Sequence, residues 1–267
     1  MNRFYGYRKS PPKLAGQRPD VHIYASGLAF TQTPPKEFDL THLVVDVIDQ
    51  FGVGACVLNA WAQAIRMRMV AQQVDAWLLA RRESYQLCLM ADGNPGVDMG
   101  THPRQAGSMF NKFGYGKETD FPYFDASATD DEIAASLREP VTEEYLRAAF
   151  DQKSPLLYAR LSEGAAALYQ VQQAIAGGFP VVFGSDVSND FASGNFDPTK
   201  PFDPTVGTID GGHCQTICGY RAGFGLRVVN SWSADFGDNG YWWMSEAALA
   251  KCTDLWTVEI SAVEGEV

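Results

Sequence analysis

The sequence predicts an α+β protein with two lobes that meet at a cleft, one mainly helical and the other mainly strand. Three observations predict it. Helix-spaced apolar patterns crowd the first part of the chain, β-branched and alternating stretches crowd the last, and 267 residues at 46% hydrophobic and 20% charged suffice for one large domain or two lobes. The boundaries drawn on this basis are an extended N-terminal segment over residues 1–40, a helical lobe over 41–160 and a strand lobe over 161–267.

Residues 1–40 hold Pro11, Pro12, Pro19, Pro34 and Pro35 among Phe4, Tyr5, Tyr7, Tyr24 and Phe30. Proline disfavours helix in the residue before it, so this reads as an extended segment docked by its rings. The plainer reading is a strap over apolar surface; the sharper one is that part of it crosses the cleft. No run of seven apolar residues forms a signal-peptide core, and no later stretch approaches a membrane span, so a soluble cytoplasmic chain is expected, with signal-independent export the alternative.

The stretch DQFGVGACVLNAWAQ follows, with Gly52 and Gly54 permitting tight turns before Cys56. From Cys56 the four-residue spacing of Cys56, Ala60 and Ala64, and of Val57, Trp61 and Ile65, predicts a helix running to about Trp77. Cys56 then lies at a helix N-terminus, where unpaired amides and the helix dipole favour thiolate, the nucleophilic form. Gln50, six residues upstream, is placed to join the Cys56 amide around a developing oxyanion. As a small hydrophobe Cys56 would simply be core.

Further helices are predicted over residues 104–113, ended by Gly114, over 129–137 with an acidic first turn, over 142–152, and over 164–176 before Gly177 and Gly178. FPVVFGSDV then reads as a buried strand. The 25 polar, glycine- and proline-rich residues after it form a long loop of the kind that serves a site. GGHCQTICGYRAGFGLRVVNSW reads as two strands joined by a turn near residue 222. That pairing sets His213 opposite Asn230 or one step from it, with Trp232 on the same face and able to shield their bond.

Charge and cysteine usage exclude other classes. A net charge of −11 disfavours a nucleic-acid partner, and Arg66, Arg68, Arg81 and Arg82 read as solvated helix faces. Five cysteines suit a reducing compartment rather than a disulfide framework. A metal site from His213, Cys214 and Cys218 lacks zinc spacing, so Cys88, Cys214, Cys218 and Cys252 are assigned to the core.

DQFGVGACVLNA, GGHCQTICGY and NSWSADFGDNGYWWMS, in this order, resemble the three blocks of the papain-like cysteine peptidases, more the short bacterial and phage forms than the secreted ones. The 157 positions from Cys56 to His213 slightly exceed the family's usual range of about 130 to 150. The resemblance implies a papain-like fold with a β-barrel-like second lobe and a cofactor-free thiolate acyl-enzyme mechanism on peptide or isopeptide bonds. It implies Cys56 as nucleophile, His213 as base and acid, Asn230 as its orienter and Gln50 as oxyanion donor. DMGTHP and FPYF resemble the substrate edge and the Pro-Tyr after it, which puts Gly100, with Trp232, against substrate. Val53, Val57, Ser233 and Phe236 depart from the secreted members, and a propeptide of the usual size is missing. The alternatives are a catalytically silent scaffold or binding protein and an acyl-transferring transpeptidase or ligase.

Overall fold

Helices come early and strands late in the computed structural model, which describes residues 5–14, 20, 33–152 and 156–260. The chain runs β1 (Glu37–Asp39), α1 (Cys56–Ala71), α2 (Arg81–Ala91), α3 (Pro103–Phe113), α4 (Asp130–Arg138) and α5 (Glu143–Asp151). It continues through β2 (Leu156–Arg160), α6 (Ala167–Ala176), β3 (Val181–Ser188), α7 (Asn189–Ser193), β4 (Pro201–Phe202) and β5 (Ile209–Arg221). Last come β6 (Gly225–Val229), β7 (Tyr241–Met244), α8 (Glu246–Leu249) and β8 (Thr253–Ile260).

The strands form one mixed sheet in the order β2-β8-β3-β5-β6-β7-β4, with β1 also on β5. The end strands β2 and β4 do not pair, so the sheet stays open instead of closing as a barrel. Two apolar clusters fill the molecule, one among α1, α2, α3 and α5, the other among α6 and the sheet.

Helix α1 is buried from Cys56 to Met69, as expected of a helix packed from every side. This corrects the solvated-face reading of its arginines and of Arg81 in α2, since Arg66 and Arg68 are each 8% exposed and Arg81 is 5% exposed. Arg68 donates to Glu259 of β8 at 2.6 and 3.1 Å, and Arg66 donates its Nε to Ala76 O while its outer end pairs with the exposed Asp46. A guanidinium enters an interior only with such partners.

Helix α1 also ends at Ala71, short of Trp77. Gln73 takes a left-handed φ of 58°, Val74 N–H turns back to Met69 O at 3.1 Å, and the released chain offers Ala76 O to Arg66 Nε at 2.8 Å. The other helix ends follow local signals. Thr129 and Glu132 form a reciprocal capping box on α4, Thr142 caps α5, and Gly114 ends α3 at φ 79°.

The long loop before His213 is shorter than predicted, because α7 and β4 lie within it and β5 begins at Ile209. The β5–β6 hairpin turns one residue later than read, with Arg221 opposite Gly225, and a bulge lies between Ile217 and Gly219. Below the bulge Thr216 faces Val229, so continued pairing brings Asn230 level with Gln215, two residues from His213. The backbone partner of His213 is Ser185 on β3.

Candidate active site

The loop before α1 is held from three directions. Gln50 N–H donates to Ser231 O at 2.9 Å, Asp49 bridges Trp232, and Gly54 N–H donates to both oxygens of Asp98 at 3.0 and 3.1 Å. A Cβ on Gly54 would lie 2.6 Å from Asp98 Oδ1, so this approach needs glycine. Tyr85 of α2 donates its hydroxyl to the same carboxylate at 2.6 Å. Burial pushes the Asp98 carboxyl up, against the pull of those bonds.

Cys56 opens α1 as predicted, but its thiol is fully buried. Burial pushes it up to about 12, while the backbone amides of Cys214, Gly6 and Val57 pull the other way. The helix-terminus preference for thiolate is therefore outweighed in this state by desolvation of the charge.

His213 and Asn230 meet through their side chains, Nε2 to Oδ1 at 2.8 Å. The same Oδ1 accepts the Ser231 N–H at 2.8 Å. A backbone N–H can only donate, so this contact identifies the amide oxygen without ambiguity of flip. Nε2 must then carry its proton toward Asn230, and Nδ1 holds the lone pair. Trp232 stacks on the imidazole at 4.3 Å between centroids and 18° between planes, and is itself braced by Phe191 and Phe236 at 5.6 and 5.1 Å.

Gln50 lies beside this chain of bonds. Its Oε1 accepts the Ser231 hydroxyl at 2.7 Å and its Nε2 donates to Val53 O at 2.9 Å. Ser231 thus ties Gln50 to Asn230, a link that strand alternation conceals, because Ser231 projects opposite to its neighbours. Arg81 was missed too: it donates to Asp49 O at 2.9 Å and to Glu118 at 2.7 and 2.8 Å, with Tyr123 of FPYF beneath it at 3.9 Å.

Part of the N-terminal segment lies against these residues. Thr101 N–H donates to Gly6 O and Arg8 N–H to Thr101 O, both at 2.9 Å, while Tyr7 N–H donates to Gly212 O at 3.2 Å. Thr101, and not Gly100, provides the backbone bonds. Gly100 gives its N–H to Tyr85 Oη at 2.8 Å and leaves space, since a Cβ there would lie 2.0 Å from Gly6 O. Tyr5 sits edge-on to Trp232 at 6.3 Å. Pro19, Tyr24 and Phe30 fall outside the described residues, as does Phe4.

Among the described residues no group of three or more His, Cys, Asp and Glu side chains is disposed to hold a metal, and no helix is long and apolar enough to cross a membrane. Cys88, Cys214, Cys218 and Cys252 are buried free thiols.

The family model for papain family cysteine proteases matches residues 34–259. The chain is 25% identical over 243 residues to an uncharacterized peptidase C1-like protein of Acanthamoeba polyphaga mimivirus, an alignment covering 83% of this chain and 74% of that protein. Xylellain, a cysteine protease from Xylella fastidiosa, shares the fold with a TM-score of 0.80 at 23% identity, over 98% of both chains. The proCathepsin B S9 of Trypanosoma congolense does so at 0.67 and 16%, over 97% of this chain and 86% of the other. With the family model spanning residues 34–259, most of its length, this chain belongs to the papain family and is a cysteine peptidase.

Proposed function

We propose that Cys56 is the nucleophile, His213 its proton acceptor and donor, Asn230 the residue that orients His213, and Gln50 an oxyanion donor. The observation that carries this is the bond from His213 to Asn230 Oδ1, with that oxygen pinned by Ser231 N–H. It assigns the basic lone pair to Nδ1, the nitrogen left to take the thiol proton. The Cys56 sulphur then attacks the scissile carbonyl, the C–N bond breaks as Nδ1–H protonates the leaving amine, and water hydrolyses the thioester. Gln50 Nε2 and the Cys56 amide meet the oxyanion, a contribution of about 3 kcal/mol per donor in such sites. Trp232 covers the imidazole pair and Gly100 leaves room for an extended peptide beside Thr101, between a helical wall and a strand wall of the cleft.

In the same reading, residues 5–8 take the place of substrate and keep the enzyme closed. Support comes from the Gly6 amide at the sulphur, the paired bonds to Thr101 and the burial of the thiol. The test is labelling of the full chain carrying Gly6→Val, in which a Cβ 1.6 Å from Gly54 O keeps the segment from seating, by an irreversible epoxide or vinyl-sulfone probe, read by intact mass. A single adduct, lost on adding Cys56→Ala or His213→Ala, is expected; no adduct, or one that survives either substitution, refutes the pair.

A further inference from the structure

A cavity of about 10 Å³ lies where α1 packs on β5 and β6, and the amide side chains of Gln63, Gln215 and Asn230 line it. Gln63 stands about two turns along α1 from Cys56. Beside the cavity Thr216 Oγ1 donates to Ala60 O at 2.9 Å and ties α1 to β5. The three amide residues are 4%, 1% and 3% exposed. Each still has polar atoms that meet no partner among the described residues: both amide atoms of Gln63, Gln215 Nε2 and Asn230 Nδ2. Buried polar groups are bonded as a rule, because leaving them unpaired costs free energy.

The bonds already made identify the atoms that are left. Trp242 Nε1 donates to Gln215 Oε1 at 2.8 Å, and an indole N–H can only donate, so the remaining group of Gln215 is its NH2. Asn230 Oδ1 accepts the Ser231 N–H and faces His213, so its remaining group is also an NH2. Two donors therefore share the cavity with Gln63, which offers an acceptor.

An oxygen that accepts twice and donates once gives all three side chains a partner, and the volume suits one molecule of that kind. We infer that a single buried water is bound here, accepting from Asn230 Nδ2 and Gln215 Nε2 and donating to Gln63 Oε1. It holds the NH2 end of the amide whose oxygen end faces His213. Gln63 is then a positioning residue, acting on the imidazole through the water and Asn230. This rests on the reading of Asn230 as the orienter of His213.

The water is tested by a crystal structure of the full chain at a resolution that shows ordered solvent. One water within hydrogen-bond distance of Asn230 Nδ2, Gln215 Nε2 and Gln63 Oε1 is expected; an empty cavity, or amides bonded directly to one another, overturns the site. The positioning role is tested in the full chain opened by Gly6→Val, with kcat and KM measured on a peptidyl coumarylamide. Gln63→Met, close in volume but without the amide, should lower kcat about three- to tenfold at constant KM and move the limb of the pH–rate profile that reports His213. Added to Asn230→Ala it should cost nothing further, because its effect runs through that amide. A folded Gln63→Met with kcat and profile unchanged, or a loss that adds in full to that of Asn230→Ala, overturns the role. Should Gln63→Met not fold, Gln215→Met is read in the same way. If Asn230→Ala itself leaves kcat and profile unchanged, the orienter reading falls and the positioning role with it, while the crystal structure still decides the water.

Discussion

The two walls of the site are built from different materials. On the helix side the Cys56 loop hangs on polar groups: Asp98 under Gly54, Tyr85 behind Asp98, and Arg81 on Asp49 O and Glu118. On the strand side His213 is clamped by rings, with Trp232 stacked on it and Phe191 and Phe236 behind. A loop that must point backbone amides at one spot needs directional bonds. An imidazole that must keep its plane while its proton moves needs a face to lie on and one acceptor.

The difference is broken hardest at the atoms proposed to react. Cys56→Ala should abolish probe labelling and peptidase activity, and His213→Ala should slow acylation by about 10³-fold or more. Asn230→Ala should lower kcat about 10- to 100-fold, because it releases the tautomer that the Asn230 amide oxygen fixes. The pH–rate profile checks this, since a lost orienter moves the limb that reports His213, whereas simple unfolding lowers all rates together.

Opening the segment acts in the opposite direction. Full-length Gly6→Val should raise the rate of Cys56 alkylation at pH 7.5 about tenfold or more. The sign follows from burial, which holds the thiol up near 12 while covered. Solvent access lowers that value, so the midpoint of the alkylation profile should move to lower pH; an unchanged midpoint would show that the cover does not control the thiol.

The polar wall is expected to fail through stability before chemistry. Asp98→Asn should lower Tm, as a buried acceptor of three hydrogen bonds is disturbed, at roughly 1 to 3 kcal/mol. Arg68→Ala should cost about 3 kcal/mol by leaving Glu259 without its partner inside the fold. Arg147→Ala, which removes an exposed pair with Glu143, should leave Tm unchanged. In catalysis a small effect is expected from Ser231→Ala: a loss of a few-fold in kcat with KM constant, since Gln50 keeps its bond to Val53 O.

What could be read from the sequence was local or closely spaced. The capping box at Thr129 and Glu132, the stop at Gly114 and the helix opening at Cys56 depend on neighbours within about one helical turn. His213 and Asn230 lie 17 positions apart on one hairpin, close enough for alternation to bring them together even though the bulge displaced their register. Other features had no such signal. Arg68 finds Glu259 from 191 positions away and is therefore buried rather than solvated. Tyr7 finds Asp254 across 247 positions, and Ser231 finds Gln50 across 181. Residue spacing alone thus determined where α3, α4 and α5 start or stop and that His213 and Asn230 share one hairpin. Tertiary packing decided the protonation of the thiol, the seating of Tyr7 and the partners of the buried arginines, because desolvation and charge pairing depend on what surrounds a group in space.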